Sequence, residues 1–253
     1  MKNMVLVSAG DALTARLIQE KGFDGIWISG FEASARLGLA DNGSLTMTEV
    51  LNIAKPIVDA VKIPVFVDTD TGYGNFQRTV SEFEKIGVAG VCIEDNVPEA
   101  KTNSLWGGKM PLMNAEKFGK KIQVKRDKIK IIARTEALIR GYGEKEARSR
   151  LDHYKDCGAD ILLPHARKSV DVLRVHGSSK TPYAIVPTKF PGFTNKYLFG
   201  LGYSMVIWAN QTERVKIKAT RQCLGSLYSS DCAEYIEAHL GATLNDMKGL
   251  VDG

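Results

Sequence analysis

Three features of this 253-residue sequence predict an α/β chain folded as a TIM-type (β/α)8 barrel. Eight short apolar runs recur along it, and segments with helical spacing lie between them. The runs are apolar almost throughout, as expected of parallel strands covered on both faces. Eight such repeats in roughly 250 residues match the usual size of that barrel. An open doubly wound sheet is the alternative, but no Gly-x-Gly-x-x-Gly follows the first strand to support it.

The first run, Met4–Val7, leads to a helix over Asp11–Lys21 with Leu13, Leu17 and Ile18 on one face. Gly25–Ser29 forms the second strand. Thr48–Val61 is the next helix, with Val50, Leu51, Ala54 and Val58 as its apolar stripe. Pro64 and the β-branched Val65 and Val67 begin a third strand, Val65–Asp68, and Gly72 and Gly74 break the backbone after it. Helix Thr79–Ile86 precedes strand Gly90–Glu94, and helix Glu116–Val124 precedes strand Ile129–Arg134. Glu144–Cys157 is helical and runs into strand Ile161–His165. Ala184–Thr188 and Met205–Asn210 are the last two strands, followed by helix Gln211–Leu227. No low-complexity linker divides the chain, so residues 1–253 are expected to form one domain, with 231–253 a C-terminal helical segment.

Composition narrows the function classes. With 44% hydrophobic and 25% charged residues the chain reads as an ordinary soluble globular protein. No apolar run approaches the roughly 20 residues of a membrane span, and the N-terminal apolar stretch is too short for a signal peptide. Cys92, Cys157, Cys223 and Cys232 show neither CxxC pairing nor metal spacing, which suits a reducing cytoplasm. The net charge of +5 is spread along the chain with no aromatic–basic interleaving, which argues against nucleic-acid binding.

Polar residues collect at the strand ends: Ser29, Asp68 with Asp70, Glu94 with Asp95, Arg134 with Glu136, His165, Thr188 and Asn210. In a barrel these ends converge on one face, where the active site lies. Asp68 and Asp70 are two residues apart, so an extended backbone points both to one side, where they repel unless a cation or shared proton offsets them. A hard divalent cation such as Mg2+, held by Asp68, Asp70 and Glu94 directly or through water, meets that need. Arg134 and His165 supply cationic or hydrogen-bonding groups for an anionic small molecule.

The motifs IWISG (26–30), VDTDTGYGN (67–75), IED (93–95), KTNSL (101–105), ARTEALI (133–139), LPH (163–165), VPTKF (186–190) and MVIWAN (205–210), together with Asp41, occur in one order. In that combination the chain resembles the phosphoenolpyruvate mutase/isocitrate lyase superfamily, most of all its phosphoenolpyruvate mutase branch, from about residue 8 to about 228. The resemblance implies an isomerase that interconverts phosphoenolpyruvate and phosphonopyruvate, moving a phosphoryl group between oxygen and carbon, as in phosphonate biosynthesis. It implies Mg2+ bound directly by Asp68 and through water by Asp70 and Glu94. Ser29, Gly30 and Phe31 would hold the pyruvoyl carboxylate and its oxygen. Asp41 would lie beside the migrating group, which Arg134 and His165 would stabilise. Lys101, Thr102, Asn103, Ser104 and Leu105 would form a lid, with Asn103 and Ser104 reaching the phosphoryl oxygens. The chemistry asks for such parts: an enolate benefits from a Lewis acid, and a metaphosphate-like group must be positioned and kept dry.

The resemblance also frames the alternatives. Lyases of the superfamily carry a Cys-Gly-His lid segment, whereas this sequence has Lys101–Trp106, KTNSLW, without Cys or His. Phosphonopyruvate hydrolases tend to have Thr in place of Asn103, so a hydrolase, or a C–C lyase or decarboxylase of a 2-oxo or 2-hydroxy acid, is the second reading. A non-catalytic binding protein is the third, and the intact acidic and basic set speaks against it. Departures from the usual pattern are Asn96 for a cation, Ala166 for Ser, Phe31 for Leu and Trp106 for His. Family members exchange their terminal helix between subunits, so residues 231–253 imply a homo-oligomer, dimer or tetramer, although the sequence is shorter than usual at both ends. A biosynthetic mutase also implies a partner decarboxylase that removes phosphonopyruvate.

Overall fold

Eight parallel strands pair in the order β6-β5-β4-β3-β2-β1-β8-β7. They are β1 (Met4–Ser8), β2 (Gly25–Ile28), β3 (Val65–Asp68), β4 (Gly90–Glu94), β5 (Lys130–Thr135), β6 (Ile161–Pro164), β7 (Ala184–Ile185) and β8 (Met205–Trp208). A parallel bridge between Leu162 and Tyr183 brings β6 against β7, so the sheet curls into the expected barrel. The computed structural model describes residues 2–103, 109–175 and 181–252.

The helices are α1 (Ala12–Glu20), α2 (Gly30–Arg36), α3 (Met47–Ala60), α4 (Phe76–Lys85), α5 (Ala115–Ile122), α6 (Glu144–Asp156), α7 (Ser169–Val175), α8 (Asn195–Gly200), α9 (Gln211–Ser230), α10 (Glu234–His239) and α11 (Leu244–Asp252). Their starts are chemically marked. Asp11 caps α1 through Thr14 N, and Thr46 and Glu49 form a capping box at α3. One expected face is corrected in part: Ile18 is buried as expected, but Leu13 and Leu17 are 42% and 41% exposed, and α1 buries Thr14 and Ala15 in their place. None of the described helices is long and apolar enough to cross a membrane.

The core has two compartments, and the period of two along each strand assigns residues to them. Val7, Ile26, Ile28, Val65, Val67, Val91, Ile93, Ile131 and Ala133 pack between strands and helices. Leu6, Trp27, Phe66, Cys92, Ile132, Leu163, Ala184 and Ile207 fill the barrel interior. The C-terminal helices contribute little to either. Helix α9 has no buried residue, and Val215, Leu224, Tyr228, Tyr235 and Leu244 are exposed.

Candidate active site

Counting two residues on from each interior side chain gives the site. Ser29 follows Trp27, Asp68 follows Phe66, Glu94 follows Cys92, Arg134 follows Ile132 and His165 follows Leu163. All five line one cavity of about 70 Å3, with Phe31, Asp41, Asp70, Lys101, Thr102, Asn103, Thr188 and Asn210. The same arithmetic turns Asp95 outward. Its carboxylate accepts from Thr135 Oγ1 at 2.8 Å, Glu136 N at 2.9 Å and Tyr154 Oη at 2.7 Å, with Arg150 Nη1 at 3.2 Å. Asp95 therefore braces the β4 and β5 ends against α6 from behind the site.

Local chain geometry sets the acids. Asp70 adopts φ 49°, a left-handed conformation that Asp tolerates better than most residues, and its N–H donates to Asp68 Oδ1 at 3.1 Å. A Cβ on Gly30 would lie 2.9 Å from Asp70 Oδ1, so a larger residue at the start of α2 would displace that carboxylate. Ser29 caps α2, its hydroxyl accepting from Glu32 N at 3.5 Å. Gly30 and Phe31 are the first two residues of α2, next to that cap.

Cations meet these acids at close range. Glu94 and Arg134 are register partners on β4 and β5, with Arg134 Nη2 3.1 Å from Glu94 Oε2. Arg134 also reaches Asp68 Oδ2 at 3.3 Å and Glu136 Oε1 at 2.5 Å. Lys101 Nζ lies 2.8 Å from Asp41 Oδ1 and 3.1 Å from Asp70 Oδ1. Asn103 Nδ2 donates to the other Asp41 oxygen. Five buried or nearly buried carboxylates, Asp41, Asp68, Asp70, Glu94 and Glu136, thus face the three cations Lys101, Arg134 and Arg140.

That excess is felt in the titrations. Burial, opposed by Lys101 and reinforced by Asp68 and Asp41, pushes Asp70 up to about 6. Burial, opposed by Arg134 and reinforced by Glu136, pushes Glu94 up to about 8. His165 is held below its ordinary value by burial and by Arg134, against the pull of Glu136.

The described residues expected to bind metal or substrate converge here, whereas Asp95 of the strand-end set faces outward; Ser104 and Leu105 lie outside the described residues. Asn96, the departure beside the acids, donates from Nδ2 to Glu94 Oε1 at 2.7 Å, and its Oδ1 is buried with no partner among the described residues. Two further groups support the site: Glu136, already placed at a strand end by its position after Arg134, and Arg140, which no motif marks. Glu136 bonds Arg134 and His165 through one oxygen, and Arg140, only 1% exposed, donates to Thr102.

Known proteins share this fold and much of this sequence. The family model "Phosphoenolpyruvate phosphomutase" fits residues 1–227. A phosphoenolpyruvate phosphomutase of Tetrahymena pyriformis is 31% identical over 94% of this chain and 85% of its own. The crystal structure of a phosphoenolpyruvate phosphomutase from Streptomyces platensis subsp. rosaceus superposes with TM-score 0.94 at 35% identity, over 99% of this chain and 91% of that one. A phosphonopyruvate hydrolase solved with oxalate and Mg2+ superposes with TM-score 0.90 at 29% identity, over 98% and 89%.

Proposed function

Because the chain belongs to the phosphoenolpyruvate phosphomutase family, we propose that it interconverts phosphoenolpyruvate and phosphonopyruvate with Mg2+. The observation that carries this reading is the pairing of Lys101 and Asn103 with Asp41 across the cavity. They belong to a segment, Lys101–Trp106, that holds neither the thiol nor the imidazole of the lyases.

The donors fit a divalent cation. The carboxylates outnumber the nearby cations by two, and burial disfavours the ionised form of Asp70 and Glu94 until positive charge arrives. Among the described residues no three Asp, Glu, His or Cys groups cluster closely enough to hold a metal by themselves. That is compatible with Asp68 as direct ligand and Asp70 and Glu94 acting through water. When bound, Mg2+ supplies Lewis-acid stabilisation for the charge that develops on the pyruvate oxygen.

The protein's own groups do the rest. The Gly30 and Phe31 N–H groups, with the Ser29 hydroxyl, hold the carboxylate. Arg134 and His165 face the phosphoryl group, where fixed donors in a dry site stabilise spreading negative charge. Asp41 keeps Lys101 and Asn103 turned into the cavity, where Asn103 holds the phosphoryl oxygens in line. Water exclusion favours transfer over hydrolysis.

The exposed apolar side chains of α9–α11 support assembly into a homo-oligomer. Release of inorganic phosphate and pyruvate is the second reading, supported by the likeness to a phosphonopyruvate hydrolase, and Asn103 is the residue that separates the two. A coupled assay tests the proposal. With phosphonopyruvate and Mg2+, pyruvate kinase and lactate dehydrogenase should oxidise NADH only when ADP is present. Oxidation without ADP would mean that pyruvate is the direct product.

A further inference from the structure

Arg140 heads the fully buried side chains in volume, yet it lies in a loop beyond β5. Its Nη2 donates to Thr102 O at 2.8 Å, its Nη1 to Thr102 Oγ1 at 3.2 Å, and its Nε lies 3.9 Å from Glu136 Oε2. The residues flanking Thr102 are Lys101 and Asn103, both hydrogen-bonded to Asp41. The other oxygen of Glu136 holds Arg134 and His165. The same loop meets the β4 excursion again farther on. Tyr142 Oη donates to Met110 O at 3.0 Å, and Lys109 Nζ sits 4.8 Å from the Tyr142 ring centre.

We propose that Arg140 is a positioning residue: its guanidinium fork fixes the backbone at Thr102 so that Lys101 and Asn103 meet Asp41, and joins that segment through Glu136 to Arg134 and His165. The chemistry suits the task. A planar fork grips a carbonyl and a hydroxyl of one residue at once, which a lysine ammonium cannot reproduce. Burying a guanidinium is costly unless it is paired and hydrogen-bonded, so Arg140 holds the fork against partners with defined places. The effect on turnover rests on the proposed reading, because it requires Lys101, Asn103 and Asp41 to face the substrate. The effect on the chain does not.

The test uses the full-length protein with Mg2+ and oxalate, comparing wild type with Arg140→Lys and Thr102→Val. Limited trypsin digestion is followed at the Lys101–Thr102 bond by mass spectrometry, alongside the melting temperature and the steady-state rates. In the wild type the Lys101 side chain is 4% exposed, so this bond is cut slowly. Arg140→Lys should cut there about tenfold faster, the equivalent of one lost hydrogen bond to a charged group, with other sites unchanged. Its kcat should fall about tenfold with KM held within about twofold. Thr102→Val, which removes only the hydroxyl acceptor, should move both in the same direction by less. Unchanged cutting at Lys101–Thr102 would overturn the proposal. So would equal acceleration at every site with a lower melting temperature, since Arg140 would then serve stability alone. If the wild type fails to turn over phosphonopyruvate, the mutase reading falls and the cleavage pattern still decides for Arg140.

Discussion

His165 Nδ1 lies 2.8 Å from Glu136 Oε1, the same oxygen that accepts from Arg134 Nε at 2.5 Å. One fully buried carboxylate therefore fixes the orientation of both groups assigned to the phosphoryl moiety, and it does so from outside the cavity. Active-site groups are held to tight tolerances by supporting residues of this kind, and loosening the support costs rate without removing a reacting group.

Glu136→Gln should therefore lower kcat by about 10–100-fold with a smaller change in KM. The Glu136 charge raises the His165 pKa against burial and Arg134, so its loss should also move any His165 limb of the pH–rate profile to lower pH. An unchanged profile with full kcat would contradict this.

Asp68 is the proposed direct metal ligand. Asp68→Asn should abolish Mg2+ dependence and reduce turnover on the order of a thousandfold, the few kcal/mol of a lost Lewis acid. Calorimetric titration with Mg2+ should show binding to the wild type and none to the variant.

Glu32 offers a stability test away from the acids of the cavity. It is 2% exposed, accepts from Ser8 Oγ at 2.7 Å, and its Oε2 has no partner among the described residues. Burial raises its pKa from 4.5 to about 7. The folded state thus holds this proton more tightly than the unfolded chain. Its contribution is complete below pH 4.5 and is lost as the pH rises through about 7. Glu32→Gln carries no such charge, so its stability relative to wild type should rise by on the order of 2 kcal/mol between about pH 5 and about pH 8. Urea denaturation at the two pH values checks the sign.

Asp95→Ala removes the acceptor that Thr135, Tyr154 and Arg150 share. Arg150 keeps Glu146 at 2.7 Å, so its charge is not wholly abandoned. A loss of about 3 kcal/mol is expected, at the low end for breaking a buried pair. The urea midpoint measures it.

Much of this was legible from residues alone, for identifiable reasons. Val65–Asp68 and Gly90–Glu94 are strands to the residue, because β-branched runs and flanking Pro and Gly punctuate them. Asp68 and Asp70 do meet, but not along the extended backbone their spacing suggested: β3 ends at Asp68, and Asp70 reaches the site from a left-handed φ of 49°. The helix Gly30–Arg36 was missed, since Ser29-Gly30-Phe31 looks like a loop and seven residues give little periodicity. Strands β6, β7 and β8 end before His165, Thr188 and Asn210 respectively, leaving those groups on the loops above. Arg140 was beyond reach: a charged residue between Ile139 and Gly141 reads as solvated, and only the tertiary fold brings Thr102 and Glu136 to it. The Leu13 and Leu17 stripe erred for a related reason. Helical spacing finds an apolar face but not which face the sheet accepts.

The central claim is phosphoryl transfer within one pyruvate skeleton, and 31P NMR of phosphonopyruvate incubated with the purified protein tests it most directly. With Mg2+ the phosphonate resonance should give way to that of phosphoenolpyruvate, and without Mg2+ or in Asp68→Asn it should persist. Asn103→Thr should divert part of the signal to inorganic phosphate. Inorganic phosphate as the main wild-type product, or no change with Mg2+ present, would contradict the account.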